Sequence, residues 1–79
     1  MPETILVIED EEDVTDLIRY HLKKAGYRVL VAGDGAAGLD VAMAEHPDAI
    51  ILDLMLPRLN GLEVAKRLRA QERTSSTPL

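Results

Sequence analysis

Ala49-Ile50-Ile51-Leu52-Asp53-Leu54-Met55-Leu56-Pro57 is an apolar run interrupted once, by a carboxylate. Turn formers bound it, Pro47-Asp48 on one side and the segment from Pro57 to Gly61 on the other. Such a run predicts a strand buried on both faces. Asp53 then stands where a buried strand ends. An ionised carboxylate in apolar surroundings is costly unless it is paired, solvated or bound to a cation. Asp53 therefore needs a partner, or else it is simply the turn-forming residue that follows a strand.

Thr4-Ile5-Leu6-Val7-Ile8 is a second β-branched run too uniformly apolar for a strand with one wet face. Glu9, Asp10, Glu11, Glu12 and Asp13 follow without a break. Glu11, Glu12 and Asp13 suit the start of a helix, where the dipole favours negative charge. Glu9 and Asp10 differ, because they lie at the carboxyl edge of the strand, where open α/β sheets bind ligands.

Helical spacing of Val14, Leu17, Ile18, Leu22 and Ala25 predicts a helix from about Glu12 to Ala25, stopped by Gly26. Tyr27 to Ala32 reads as a strand, and Arg28 places it at a sheet edge. Gly33-Asp34-Gly35 turns the chain, with Asp34 as an N-cap; its glycines fit neither phosphate-loop spacing. Ala36 to Glu45 is a helix whose small residues imply close packing on the sheet, ended by Pro47. Asn60-Gly61-Leu62-Glu63 has the form of a capping box opening a third helix to about Glu72, with Leu62, Val64, Ala65 and Leu68 available for burial. Arg73 to Thr77 is a polar connector, and Pro78-Leu79 opens a further strand.

The 79 residues make one small domain at most, with 47% hydrophobic residues but no Phe or Trp, so the core is aliphatic. With no cysteine there is neither disulfide nor thiolate chemistry, which fits a reducing compartment. No apolar run reaches a membrane span, and Met1-Pro2-Glu3 leads straight into a strand, so a cytoplasmic location is expected. A net charge of −5 argues against direct nucleic-acid contact by this segment. His21 and His46 are the two histidines and lack the convergent partners of a metal or catalytic site.

Alternating strands and helices imply parallel strands joined by right-handed crossovers, an α/β fold. If the Thr4 and Ala49 strands are neighbours and the Tyr27 strand lies outside the first, the order is 2-1-3. Adjacent strands are about 4.8 Å apart, so Glu9, Asp10 and Asp53 would emerge in one crevice. Three carboxylates there call for a cation, and an all-oxygen donor set favours Mg²⁺ before Mn²⁺ or Ca²⁺. The chemistry suggested is phosphoryl transfer onto a carboxylate.

The segments Ile5-Leu6-Val7-Ile8-Glu9-Asp10-Glu11, Gly33-Asp34-Gly35, Asp53-Leu54-Met55-Leu56-Pro57 and Asn60-Gly61-Leu62-Glu63 together resemble the receiver domains of two-component response regulators. The resemblance implies a flavodoxin-like (receiver) fold, whose strand order begins 2-1-3. It also implies that Asp53 accepts a phosphoryl group from a sensor histidine kinase. Asp10, Asp53 and the Met55 backbone carbonyl would ligate Mg²⁺, and Glu9 would hold a metal-bound water. The Glu-Asp-Glu start and the Asp-Leu-Met-Leu-Pro ending look most like regulators with a winged-helix DNA-binding output. Such domains continue with two more strand-helix units that carry a switch Ser or Thr and a Lys. Residues 1–79 are therefore expected to be the N-terminal part of a receiver, a truncated domain with a three-stranded sheet and three helices. Neither Thr77 nor Lys66 stands in for the missing groups.

The chain is thus expected to be a phosphoacceptor signalling domain and not an enzyme. The competing reading is a chemically incompetent fragment acting as an interaction or assembly module, a homo-oligomer joined through the exposed edge of the third strand. An aspartyl-nucleophile phosphatase would place a second Asp two residues after the first, and Met55 occupies that position.

Overall fold

The computed structural model describes residues 2–53, 56, 60–71 and 77–79. Among the described residues six elements alternate: β1 (Thr4–Ile8), α1 (Glu12–Lys24), β2 (Arg28–Ala32), α2 (Gly35–Glu45), β3 (Ala49–Leu52) and α3 (Gly61–Ala70). The strands form one parallel sheet in the order β2-β1-β3, the order expected from the resemblance. Arg28 opens an edge strand, in agreement with its charge.

β1 is the centre of the sheet, and its side chains from Ile5 to Ile8 are all buried. Leu6 and Ile8 point toward one face, where Ile50, Ala42, Leu56, Val64 and Leu68 complete an aliphatic core. Burying a side chain of this size is worth about 1.5–3 kcal/mol, so this cluster is the main source of stability in so small a chain. The small residues of α2 let it lie close on the sheet: Gly38 and Ala42 are buried. The opposite sheet face carries Ile5 and Val7, with α1 packed along β1 and β2. On the two outer strands, Val31 and Ile51 keep 39% exposure each.

The helix ends follow local chemistry. Asp34 Oδ1 accepts the Ala37 N–H at 2.8 Å and Asn60 Oδ1 accepts the Glu63 N–H at 3.0 Å, so both expected N-caps are made. Glu63 also meets Arg67 one turn on, at 3.3 Å. Gly26, at φ 97°, follows the C-cap of α1, and its N–H reaches the Lys23 carbonyl. His46 caps α2 in the left-handed region at φ 49°, donating to Ala42, and Pro47 then prevents continuation.

Two burial expectations are corrected. Leu17 is 60% exposed and Leu62 64% exposed. In α1 the inward stripe is Val14, Thr15, Ile18 and Leu22, which turns Leu17 and Tyr20 outward. In α3 only Gly61, Val64 and Leu68 are buried, because this helix meets α2 and the core along one narrow line. α3 also ends at Ala70, with Gln71 in extended backbone as its cap, short of the expected Glu72.

Candidate metal and phosphoacceptor site

The site begins with strand register. At the start of β3, Asp48 and Thr4 exchange two bonds: the Asp48 N–H donates to the Thr4 carbonyl at 2.7 Å, and Asp48 Oδ2 accepts the Thr4 N–H at 2.7 Å. The pairing then runs Ile5↔Ala49, Leu6↔Ile50, Val7↔Ile51 and Ile8↔Leu52. Glu9 and Asp53, the next residues on each strand, emerge together. The sequence reading treated Asp48 only as a turn former. Its short side chain at the base of a parallel pair was the signal for a register clamp.

Glu9, Asp10 and Asp53 each offer a carboxylate oxygen, and these oxygens lie within 4.8 Å of one another. Glu9 and Asp53 are half-buried and Asp10 is exposed. Their backbones are fixed by the sheet: the Glu9 N–H donates to Ala32 and the Asp53 N–H to Ile8, both at 3.1 Å. Glu9 Oε1 also accepts the Glu11 N–H at 3.1 Å, which ties its side chain to the first residue before α1.

The Glu9 carboxyl is pushed above its ordinary range. Desolvation is the largest cause, followed among the raising effects by the charge of Asp53 and by hydrogen bonding to Asp53 and Asp10; the Glu11 N–H acts in the opposite direction. Loss of solvation and a neighbouring carboxylate both disfavour the ionised form of a carboxyl group. A hard divalent cation fits this donor set, which consists of oxygens from three acids and is open to water on the Asp10 side. Met55, whose backbone carbonyl was expected as a further ligand beside Asp10 and Asp53, lies outside the described residues.

Beside the acids, between α1 and β2, is a shallow cavity of about 240 Å³ that includes Thr15, Asp16 and Arg19. Arg19 pairs with Asp16 on the same helix. This is an exposed pair of small energetic weight.

The response regulator receiver domain family matches residues 5–79, and the chain belongs to that family. The chain is similar to the alkaline phosphatase synthesis transcriptional regulatory protein PhoP of Bacillus subtilis, with 49% identity over 91% of this chain and 30% of the relative. It is also similar to the DNA-binding dual master transcriptional regulator RpaA of Synechocystis, with 45% identity over 95% of this chain and 31% of the relative. The chain thus spans about a third of the length of these relatives.

Among solved structures it resembles the receiver domain of a sensor histidine kinase from Pseudomonas aeruginosa, in which a magnesium ion is coordinated in the active site cleft. That likeness has a TM-score of 0.94 at 33% identity, over 99% of this chain and 64% of the other. The chemotaxis protein CheY4 of Vibrio cholerae gives a TM-score of 0.94 at 31% identity, over 99% of this chain and 65% of the other. The expected flavodoxin-like receiver fold, begun here by three parallel strands and three helices, is therefore the fold of this chain.

Proposed function

We propose that residues 1–79 form the N-terminal part of a receiver domain in which Asp53 accepts a phosphoryl group from the phosphohistidine of a sensor histidine kinase. The observation that carries this reading is the convergence of Glu9, Asp10 and Asp53 within 4.8 Å at adjacent strand ends. An Asp53 oxygen attacks the phosphorus in line, a P–O bond forms, the P–N bond breaks, and the departing imidazole nitrogen keeps the electron pair. The Asp53 N–H bond to Ile8 holds the residue at the strand end, so the carboxylate is presented at a fixed height.

Asp10 and Asp53 would ligate Mg²⁺, with Glu9 holding a metal-bound water. When bound, the cation supplies charge compensation for the phosphoryl oxygens. The protein is a phosphoacceptor in signal transduction, located in the cytoplasm. Its phosphorylation state would control an output domain of DNA-binding type, a reading supported by the two transcriptional regulators to which it is similar. The segment itself, with net charge −5, makes no direct nucleic-acid contact in this scheme.

Mass spectrometry after incubation with Mg²⁺ and acetyl phosphate, or with a phosphorylated kinase, tests the assignment. One phosphoryl group is expected on the wild type and none on Asp53→Asn. An adduct that survives the substitution would place the acceptor elsewhere.

A second reading, self-association through the β3 edge, is favoured by the exposed apolar residues near it, Ile51 and Leu79 at 39% and 46%.

A further inference from the structure

We propose that Gly38, in the first turn of α2, is a positioning residue for the acid trio and acts through Ile8; the inference rests on the phosphoacceptor reading. A Cβ at position 38 would fall 2.5 Å from Ile8 Cδ1, 2.8 Å from Cγ1 and 3.0 Å from Cγ2. Both γ carbons leave the same Cβ, so no single χ rotation clears all three contacts, and β-branched side chains have few rotamers to spare. Ile8 is completely buried, with Ala32 and Leu52 as its register partners on either side. A close-packed interior offers it nowhere to go.

The backbone of Ile8 is where the three acids meet. Its carbonyl receives the Asp53 N–H at 3.1 Å, and its peptide bond leads directly to Glu9 and then Asp10. Glu9 is in turn held by the Ala32 carbonyl at 3.1 Å. The helix cannot simply rise off the sheet, because Ala42 is buried in the same core and the Asp34 cap fixes the first turn of α2. Bulk at position 38 therefore displaces the end of β1, and with it the spacing between Asp53 and the Glu9-Asp10 pair. Ligand constellations tolerate about 0.5 Å of such misplacement. The bare helix surface at Gly38 thus sets how closely Ile8, and so the acid trio, can be held.

The test is a Mg²⁺ titration of the 79-residue chain followed through the amide resonances of Glu9, Asp10 and Asp53, with Gly38→Ala, Ile8→Val and the double variant alongside. Gly38→Ala should displace the Glu9 and Asp53 amides before any metal is added and bind Mg²⁺ about tenfold more weakly, the lower end of what outer-shell changes cost metal sites. The double variant removes the Cδ1 contact at 2.5 Å but keeps both γ carbons, so it should regain part of the affinity and not all of it. Wild-type affinity in a folded Gly38→Ala would overturn the proposal, as would a double variant that regains stability without affinity. Should Gly38→Ala fail to fold, Ile8→Val alone decides: it should shift the same amides and weaken the site, and unchanged shifts and affinity reject the idea. A wild type that ignores Mg²⁺ counts against the phosphoacceptor reading, and the metal-free amide positions of Gly38→Ala then still decide the positioning role.

Discussion

The backbone N–H of Asp53 donates to the carbonyl of Ile8 across 3.1 Å, one residue beyond the last paired position of β3. This bond extends the parallel ladder by one step and places a carboxylate at the mouth of the sheet beside Glu9. Buried strands supply the rigidity, and their ends supply the chemistry.

The raised Glu9 carboxyl gives a pH dependence of definite sign. Between the ordinary value of 4.5 and its raised value in the fold, the folded state holds more protons than the unfolded chain. The Glu9 contribution to stability therefore falls as pH rises through that window and stays low above it. Mg²⁺ competes with that proton, so affinity for the cation rises over the same window. Urea unfolding and Mg²⁺ titration at several pH values, each compared with Glu9→Gln, should show both slopes flattened in the variant. In Asp53→Asn the Glu9 carboxyl should titrate lower, because the charge of Asp53 is one of the effects that raise it.

Removing the Asp48 side chain tests the register clamp. Asp48→Ala loses the carboxylate that accepts the Thr4 N–H at 2.7 Å. The expected cost is about 1–2 kcal/mol, reduced from the range for charged hydrogen bonds because the pair is exposed. Asp48→Asn retains an acceptor and should recover much of it. Chemical denaturation measures the difference, and equal stabilities of the Ala variant and the wild type would remove the clamp from the account.

Two leucines of α3 separate buried from exposed apolar surface. Leu68 is fully buried in the core, so Leu68→Ala should cost about 2–5 kcal/mol. Leu62, at 64% exposure, should lose within about 0.5 kcal/mol on the same change. Thermal or urea unfolding of the two variants distinguishes them.

That contrast also marks how far the sequence could be read. The apolar run of β1 is buried on both faces as read, because such residues fit the interior of a parallel sheet; β3 is instead an edge strand of the described sheet, with Ile51 39% exposed. The acid trio was also legible: register and strand spacing bring Glu9, Asp10 and Asp53 together once the strands are neighbours. Helix burial was harder. Periodicity gives the apolar side of a helix, but the width of the surface beneath decides how much of that side is covered. Over a three-stranded sheet, Leu17 and Leu62 fall outside it. The near-contact of Gly38 and Ile8 was legible only as a preference for small residues in α2, since sequence does not report the height of a helix above its sheet.

The C-terminal segment revises the expected open edge of β3. The Ile50 N–H, on the side of β3 away from β1, donates to the Pro78 carbonyl at 2.8 Å. The neighbouring Thr77 carbonyl accepts from Arg69 at 2.7 Å, which ties this segment to α3. Residues 77–79 therefore cover the beginning of the edge through which self-association is proposed, while Ile51 and Leu62 stay exposed near it. Leu79 closes a groove of about 530 Å³ with Leu62, Ala65, Lys66 and Arg69. A chain ending at residue 76 would free the Ile50 N–H and open that apolar groove, and both changes favour pairing with a second copy. Arg69→Ala should act in the same direction more weakly, because it releases one hydrogen bond and leaves the Pro78 contact in place. Sedimentation equilibrium over a wide concentration range is the measurement, and the expected order of association strength is the shortened chain, then Arg69→Ala, then the wild type. If the shortened chain stays monomeric at concentrations where the wild type associates, the contact surface includes residues 77–79 themselves, and the β3 edge is not the interface.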